Sequence, residues 1–433
     1  MRKRFGSAAL AAVLVVSTII GGCGSSGGSK EEVKKDGGKE QMVFMATGTS
    51  NEQAAIDAVE ATIKEFNESN EFNVEIVPEW YETEQYKTKL ATLMTQDQAP
   101  DVFFTYEASY IKNFVDAGKI LPITEELDAD PEWKNKFYDG IFTPLTFDGE
   151  IYGMPITQDS CMIYYNKATF EKYNLTPPET WDDFIKIVKT LKDAGELPMS
   201  MGSQDAWVMG NLMLQLIGGV GGHEVYDDLI AGKIDWTDPR FAEAGELVKV
   251  LNDLGTFQDG DLGISYDEGR DTFTNGTAAM TQQGTWETAN ISGIMGDNVG
   301  VFLMPGYNKE YTDTQISVLG KSYAIGNHCK NKEAAVAFLK ALSSETSMKR
   351  YVETVGAIPT MPVDADESKL SQAALDIMEL LGNVKYTMCA IDRVLGPNVG
   401  GEFNNVSVAI AGGADPKEKF DWLADYQKQE AEQ

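Results

Sequence analysis

Histidine and cysteine are scarce in this chain of 433 residues. Its two histidines, His223 and His328, lie near no candidate acid or serine, and H-E-x-x-H and P-loop motifs are missing from the sequence. The last three cysteines, Cys161, Cys329 and Cys389, are widely spaced and form no C-x-x-C pair. The sequence therefore predicts no nucleophilic centre, no disulfide framework, no metal site and no cofactor.

Basic residues are few relative to acidic ones. The chain has 36 Lys and Arg against 67 Asp and Glu, which gives a net charge of −31 at pH 7. A surface this negative repels nucleic acids and anionic lipid headgroups, so we expect no nucleic-acid partner. The 42% hydrophobic and 24% charged residues are typical of a folded globular body, and the length favours two domains.

Long apolar runs are missing beyond the N-terminus. The apolar stretch at 7–20 follows Arg2, Lys3 and Arg4, and it is shorter than the roughly 20 residues that span a bilayer. This layout is typical of an export signal at 1–22. The small residues before Cys23 resemble a bacterial lipobox, which implies cleavage before Cys23 and a lipid on its thiol. An ordinary cleaved signal followed by a chance cysteine is the alternative.

The next segment, 23–40, is rich in Gly, Ser, Lys and Glu, and after Cys23 its only apolar residue is Val33. Such a segment buries too little apolar surface to fold, so we expect a flexible tether. With a lipid at its start, this tether would hold a globular body at the extracellular face of the cytoplasmic membrane.

Strand and helix patterns alternate in the first part of the body. Apolar runs at 41–47, 72–77 and 102–104 predict strands, and helical spacing of apolar residues at 54–66 and 83–95 predicts helices between them. This order predicts a parallel sheet covered by helices.

Residues 151–166 interrupt the alternation. Two apolar segments flank a predicted loop at 157–160, and the turn at Gly153 and Pro155 suits either a chain crossing between lobes or a plain hairpin. Further patterns predict a helix-rich stretch at 181–251, strands at 299–304 and 322–325, and an amphipathic helical region at 332–355.

Three groups of short motifs follow one another along the body. The first comprises DGEIYGMP at 148–155, YYNK at 164–167 and PPETW at 177–181; the second, FTNGTAAM at 273–280 and GTW at 284–286; the third, GAIP at 356–359. In order and spacing, over most of residues 42–425, they resemble the extracellular solute-binding proteins of ABC importers, in the sugar-binding group that includes maltose-binding protein.

The resemblance implies a two-lobed α/β fold of the type II periplasmic-binding-protein kind. Each lobe is expected to be a mainly parallel sheet flanked by helices, with the ligand cleft between the lobes. Lobe 1 would comprise 42–155 plus about 319–365, and lobe 2 would comprise 156–318 plus about 366–433. A binding protein of this kind is not an enzyme.

Sugar binding sets a definite chemical requirement. Aromatic faces cover the C–H face of a pyranose, while carboxylates, amides and Arg hold its hydroxyls. Trp286 follows a predicted buried strand, where ligands bind in open α/β sheets, and the resemblance identifies it with the family's stacking tryptophan. Asp159 lies where family members place a hydroxyl-binding acid, and a solvated loop aspartate is the alternative.

The resemblance suggests further contacts in both lobes. Trp207 opens a helix of lobe 2 at a position similar to the family's aromatic site residue, with Asp205 beside it. Tyr106 and Glu107 follow the third strand, in a loop that corresponds to the family's cleft loop of lobe 1, and simple exposure is their alternative. This loop lacks the tryptophan found there in maltose-binding protein, so maltose itself is not implied.

Glu287, Asp392 and Arg393 complete the candidates. Glu287 directly follows Trp286, and Asp392-Arg393 lies in a Gly/Pro-rich loop where the family often supplies a last contact. A surface ion pair between the two neighbours explains Asp392-Arg393 equally well.

These features predict a monomeric, lipid-anchored binding protein that captures an oligosaccharide and delivers it to the membrane permease of an ABC importer. A polyamine is the alternative ligand, because acids and aromatic rings bind cations through charge and cation–π contacts. The alternatives from other classes are a secreted glycoside hydrolase, which would use paired carboxylates, and a structural lipoprotein.

Overall fold

The computed structural model describes residues 38–49, 52–311 and 314–432. The predicted signal, Cys23 and most of the predicted tether lie outside these residues. Among the helices that the structure describes, none is both long and apolar enough to cross a bilayer.

The strands are short, and most are buried. In chain order they are β1 (Glu40–Thr47), β2 (Val74–Tyr81), β3 (Val102–Phe104), β4 (Ile120–Leu121), β5 (Thr146–Phe147), β6 (Glu150–Ile151), β7 (Met154–Pro155), β8 (Thr157–Asn166), β9 (Leu197–Ser200), β10 (Ala278–Gly284), β11 (Val299–Phe302), β12 (Thr314–Leu319), β13 (Ser322–Gly326), β14 (Ile358–Pro359) and β15 (Tyr386–Met388).

Helices connect and cover the strands. In chain order they are α1 (Gln53–Ser69), α2 (Thr83–Thr95), α3 (Ser109–Asp116), α4 (Thr124–Ala129), α5 (Pro131–Lys134), α6 (Lys167–Lys172), α7 (Trp181–Asp193), α8 (Ala206–Ile230), α9 (Pro239–Asp253), α10 (Tyr266–Thr274), α11 (Thr288–Met295), α12 (Lys332–Leu342), α13 (Glu345–Val355), α14 (Gln372–Gly382), α15 (Ile391–Val394), α16 (Gly396–Ala411) and α17 (Pro416–Ala431).

The first sheet has the strand order β2-β1-β3-β13-β4, and β7 also pairs with β13. Strands β1, β2 and β3 are parallel, as the alternating pattern predicted, while β13 runs antiparallel to its neighbours. The hydrophobic core around this first sheet includes Phe44, Phe103 and Tyr323, and helices α1, α12 and α13 contribute to the same core.

The second sheet has the order β15-β12-β8-β10-β9, with β11 and β14 also paired to β8. Strand β8 runs antiparallel to β10, β11, β12 and β14, so this sheet is mixed, and the prediction of a mainly parallel sheet is wrong for it.

The chain passes between the two sheets at several points. It leaves the first sheet at Pro155 and joins the second at Thr157, and it returns between β12 and β13 through Gly320 and Lys321. Strand β14 then pairs again with β8. The turn at Gly153 and Pro155 is therefore a crossing between lobes and not a plain hairpin. The residue ranges given above for the lobes remain our proposal.

The prediction of a loop at 157–160 is wrong, because these residues begin the ten-residue strand β8. Polar residues at 157–160 suggested a loop, but their backbone groups pair with β12 and β14. Asp159 is therefore a strand residue with Val318 as its cross-strand partner. Tertiary pairing of a polar segment has overridden its local preference here.

Candidate ligand-binding site

Three aromatic side chains meet beside the carboxyl end of β10. The ring centroid of Trp207 lies 4.9 Å from that of Tyr266 and 6.0 Å from that of Trp286. The Trp286 Nε1–H donates to the Tyr266 hydroxyl at 2.8 Å. All three side chains are half-buried, so part of each remains available to a ligand. We call Trp207, Tyr266 and Trp286 the aromatic cluster.

Local sequence explains how this cluster forms. Strand β10 ends at Gly284, and the 3₁₀ turn Thr285–Glu287 folds the indole of Trp286 back over that glycine. A Cβ on Gly284 would lie 2.2 Å from the Trp286 ring, so only glycine fits there. Ser265 and Glu268 form a capping box that starts α10 at Tyr266. This cap therefore helps to fix the position of the Tyr266 side chain.

Asp159 is bonded to the turn that carries Trp286, and its carboxylate is buried. The residue is 7% exposed, and its Oδ1 accepts a hydrogen bond from the Thr285 hydroxyl at 2.8 Å, one residue before Trp286. Burial raises the pKa of Asp159 to about 6, and the hydrogen bond from Thr285 and the positive charges of Lys321 and Arg393 offset only part of this rise. The alternative of a solvated loop aspartate is therefore wrong.

Asp205 precedes α8 and joins the same region. Its Oδ2 accepts a hydrogen bond from the backbone N–H of Tyr266 at 2.7 Å. Burial raises the pKa of Asp205, and the negative charges of Glu84 and Glu82 raise it further. Because both glutamates lie at the start of α2, the first lobe is within electrostatic range of Asp205.

Glu107 and Arg393 form an ion pair that joins elements of the two lobes. Arg393 Nη1 lies 3.0 Å from Glu107 Oε2 and also donates to the Leu319 carbonyl at 2.9 Å. The guanidinium sits 4.6 Å from the centroid of the Tyr106 ring. Glu107 is 2% exposed, so the alternative of an exposed side chain without a site role is wrong for this residue. Tyr106 is half-buried. We call Glu107 and Arg393 the interlobe ion pair.

Asp392 and Arg393 occupy the short helix α15 rather than a loop. The suggested ion pair between these neighbours is absent, since Arg393 is directed to Glu107 and Asp392 accepts from the Asn404 amide at 3.3 Å. Sequence neighbours on a helical turn point in different directions, which explains this outcome.

Glu287 is directed away from solvent and toward a buried arginine. Its Oε2 lies 3.2 Å from Nη1 of Arg270, which is 1% exposed and also pairs with Asp267 and Asp271. Burial raises the pKa of Glu287 despite this partner. The contact fixes the turn that carries Trp286, and this support is the role that the geometry gives Glu287.

The sequence predictions missed Tyr266 and Lys321. A signal for Tyr266 was present, because S-x-x-E at 265–268 marks a helix start. Lys321 lies in the turn between β12 and β13, with Nζ 3.4 Å from the Thr47 hydroxyl and 3.8 Å from Glu52 Oε1. Only the meeting of distant strands reveals its position, and no local motif marks it.

A cavity of about 500 Å³ lies beside the start of β8, where Gln158 and Asp159 both line it. The Gln158 amide also donates to the Pro359 carbonyl at 3.5 Å. Leu375 and Met378 of α14 line the far wall. Among the described residues that line this cavity, none belongs to the aromatic cluster, and Asp159 is shared between the cavity and the candidate site.

The site combines aromatic faces, buried carboxylates and a few cations, which suits reversible binding of a polar molecule. In the described part of the chain, no group of three or more His, Cys, Asp or Glu side chains could hold a metal ion. The three described cysteines are free, and Cys161 is buried in the hydrophobic core.

Comparison with known proteins places these features in context. Residues 49–349, more than half of the chain, match the family model of the bacterial extracellular solute-binding proteins. An uncharacterized ABC transporter extracellular-binding protein of Pyrococcus horikoshii is 26% identical over 363 residues, covering 82% of this chain and 80% of that protein. The multiple sugar-binding protein of Streptococcus mutans is 28% identical over 216 residues, 48% of this chain and 51% of that protein.

A solved structure gives the same result. It comes from work on xylan utilization by the thermophilic bacterium Caldanaerobius polysaccharolyticus, and it superposes with a TM-score of 0.83 at 25% identity, covering 89% of this chain and 99% of that one. The two sheets, the repeated crossings between them and the matched residues agree with one architecture, the type II fold of periplasmic binding proteins. The chain belongs to the bacterial extracellular solute-binding proteins of ABC transporters.

Proposed function

We propose that the protein binds a neutral oligosaccharide between its lobes and delivers it to an ABC permease. The aromatic cluster beside buried Asp159 carries this proposal. Trp207 and Trp286 offer indole faces for sugar C–H surfaces, and Asp159 and Asp205 offer carboxylate oxygens for hydroxyl donors. The named relatives from sugar-binding and xylan-utilizing systems support the same ligand class.

The charges near the site favour a neutral ligand over a polyamine. Asp205 lies in the field of Glu82 and Glu84, which would attract a cation. Lys321 and Arg393, however, both act on Asp159, so a polycation would meet positive charge at the far end of the same region. A sugar, which carries many hydroxyls and no charge, suits such a mixture of donors and acceptors.

Binding is coupled to lobe closure in this proposal. The aromatic cluster and Asp205 belong to the second lobe, whereas Tyr106 and Glu107 belong to the first. A ligand that touches both groups stabilises the arrangement in which they approach each other. The closed form would then be the one that the permease recognises.

Tryptophan fluorescence tests the ligand class directly. Titration with xylo-, chito- and malto-oligosaccharides and with spermidine should change the emission for an oligosaccharide and not for spermidine. Trp286→Ala should weaken that affinity by about tenfold or more, since burying a large apolar side chain contributes about 1.5–3 kcal/mol. Trp422→Ala, an exposed ring on α17, is the matched control and should leave the affinity unchanged.

Other outcomes would replace the proposal. A response to spermidine alone would assign the protein to polyamine capture. Release of shorter sugars during incubation with the oligosaccharides would indicate a glycoside hydrolase.

We also propose that Cys23 carries a lipid that anchors the protein at the outer face of the cytoplasmic membrane, where it acts as a monomer. The motif before Cys23 and the Gly/Ser-rich segment after it support this. Anchoring would raise the local concentration of loaded protein at the permease. Cys23→Ala should move the protein from the membrane fraction to the medium, and an unchanged distribution would contradict the anchor.

A further inference from the structure

We propose that Lys321 determines the charge selectivity of the cleft, donating to an oxygen of the sugar and repelling cationic solutes. This inference rests on the proposed binding function, since it assigns a role within the same site.

Lys321 lies at a crossing between the two sheets. The residue lies between β12 of the second sheet and β13 of the first, so its backbone belongs to one of the crossings. Its Nζ is 3.4 Å from the Thr47 hydroxyl at the end of β1 and 5.4 Å from the Phe104 ring centroid. Toward the second lobe, its charge acts on the Asp159 carboxylate. Lys321 therefore lies where one end of a ligand bound between the lobes would be.

The pairing of Lys321 differs from that of the other cations near the site. Lys87 lies 2.8 Å from Glu84, and Arg393 lies 3.0 Å from Glu107. The ammonium of Lys321 is 3.8 Å from Glu52, too far for a hydrogen bond. An ammonium has three donors, and the contact with Thr47 uses one. Donors thus remain for a ligand oxygen.

Local charge explains why such a lysine matters. The protein is strongly acidic, and Glu52, Asp159 and Glu107 all approach this part of the site. Carboxylates and aromatic rings together attract organic cations. A lysine whose side chain is 15% exposed places positive charge where an ammonium ligand would bind, so it disfavours polyamines while still serving sugar hydroxyls.

The test compares Lys321→Met, Lys321→Arg and the wild type against two ligands. The ligands are the oligosaccharide that gives the strongest fluorescence response in the wild type, and spermidine, each measured by calorimetry. Lys321→Met should bind the sugar about 10- to 100-fold more weakly, the range for a hydrogen bond from a charged donor. Its affinity for spermidine should rise by about tenfold or more. Lys321→Arg should keep spermidine excluded.

Lys417→Met is the charge-matched control, because Lys417 pairs with Asp421 on the exposed face of α17. It should change neither affinity. If Lys321→Met retains wild-type sugar affinity or still rejects spermidine, the role assigned to Lys321 is wrong. If the wild type itself binds none of the sugars, the proposed function fails instead, so the two failures are separate. Circular dichroism melting shows whether each variant is folded.

Discussion

At the residue scale, the site depends on a carboxylate kept away from water. Asp159 receives a hydrogen bond from Thr285 and partial compensation from Lys321 and Arg393, yet its pKa is still raised to about 6. Keeping such a carboxylate ionised and buried lowers the free energy of unfolding. The same carboxylate oxygens can accept hydrogen bonds from a ligand hydroxyl. If Asp159 binds the ligand as proposed, function and stability oppose each other at this position.

The sign of the pH effect follows from this raised pKa. The folded protein binds the Asp159 proton more tightly than the unfolded chain, so this residue lowers the free energy of unfolding as pH rises from about 4 to above 6. Asp159→Asn should remove that penalty. We expect it to be more stable than the wild type at pH 8, by up to about 3 kcal/mol, and equal to it near pH 4.

Urea denaturation at the two pH values measures this difference, and calorimetry should find weaker sugar binding for the same variant. Asp425→Asn, at an exposed position of α17, should match the wild type at both pH values. A variant Asp159→Asn that is less stable at pH 8 would show that the carboxylate stabilises the fold.

At the element scale, the turn after β10 carries the ring of Trp286, the proposed stacking residue. Gly284, Thr285 and Trp286 each have a separate role: the glycine leaves space, the threonine bonds to Asp159, and the indole faces its neighbours. The buried pair between Glu287 and Arg270 holds the turn from behind. This three-residue motif thus depends on partners from other elements, among them Asp159 of β8, 126 residues from Thr285.

Gly284→Ala tests this turn. The added methyl would overlap the Trp286 ring, so the indole must move. We expect sugar affinity to fall by about tenfold or more. We also expect the free energy of unfolding to decrease by about 1–3 kcal/mol. Fluorescence titration and thermal melting report the two effects. Gly293→Ala on α11, where a methyl meets open space, should preserve both. Unchanged affinity in Gly284→Ala would mean that the ring's position does not matter for binding.

At the scale of the whole molecule, the interlobe ion pair connects the first lobe to α15. Glu107 also accepts from the Leu319 N–H at 3.0 Å, and Ser109 of α3 donates to the Val394 carbonyl at short range. These contacts join the first lobe to α15 and to the strand before Lys321. They should therefore set how readily the protein opens.

Glu107→Gln should shift the unliganded protein toward more open forms, because it leaves Arg393 without its negative partner. Small-angle X-ray scattering should record a larger radius of gyration without sugar, and saturating sugar should reduce it toward the wild-type value. Asp116→Asn, which breaks an exposed pair with Lys112 on α3, should leave the scattering unchanged. Identical curves for Glu107→Gln and the wild type would exclude this role for the pair.

Much of the architecture was accessible from local sequence. Helix α2 and strand β3 match their predicted bounds, and helices α7 and α8 begin where Trp181 and Trp207 suggested. Their signals are periodic apolar residues and capping residues such as Thr180, which act within one or two turns of chain. The amphipathic region at 332–355 is two helices, α12 and α13, joined at Ser343 and Ser344.

The sequence by itself determined the type of most elements, the motif that carries Trp286 and the acidic character of the protein, because these depend on neighbouring residues and on composition. The tertiary structure decided that Asp159 is a buried strand residue, that Arg393 pairs with Glu107, and that Lys321 meets Thr47. Such contacts join residues separated by a hundred positions or more, and their strength comes from burial and low local dielectric, which exist only once the lobes are folded.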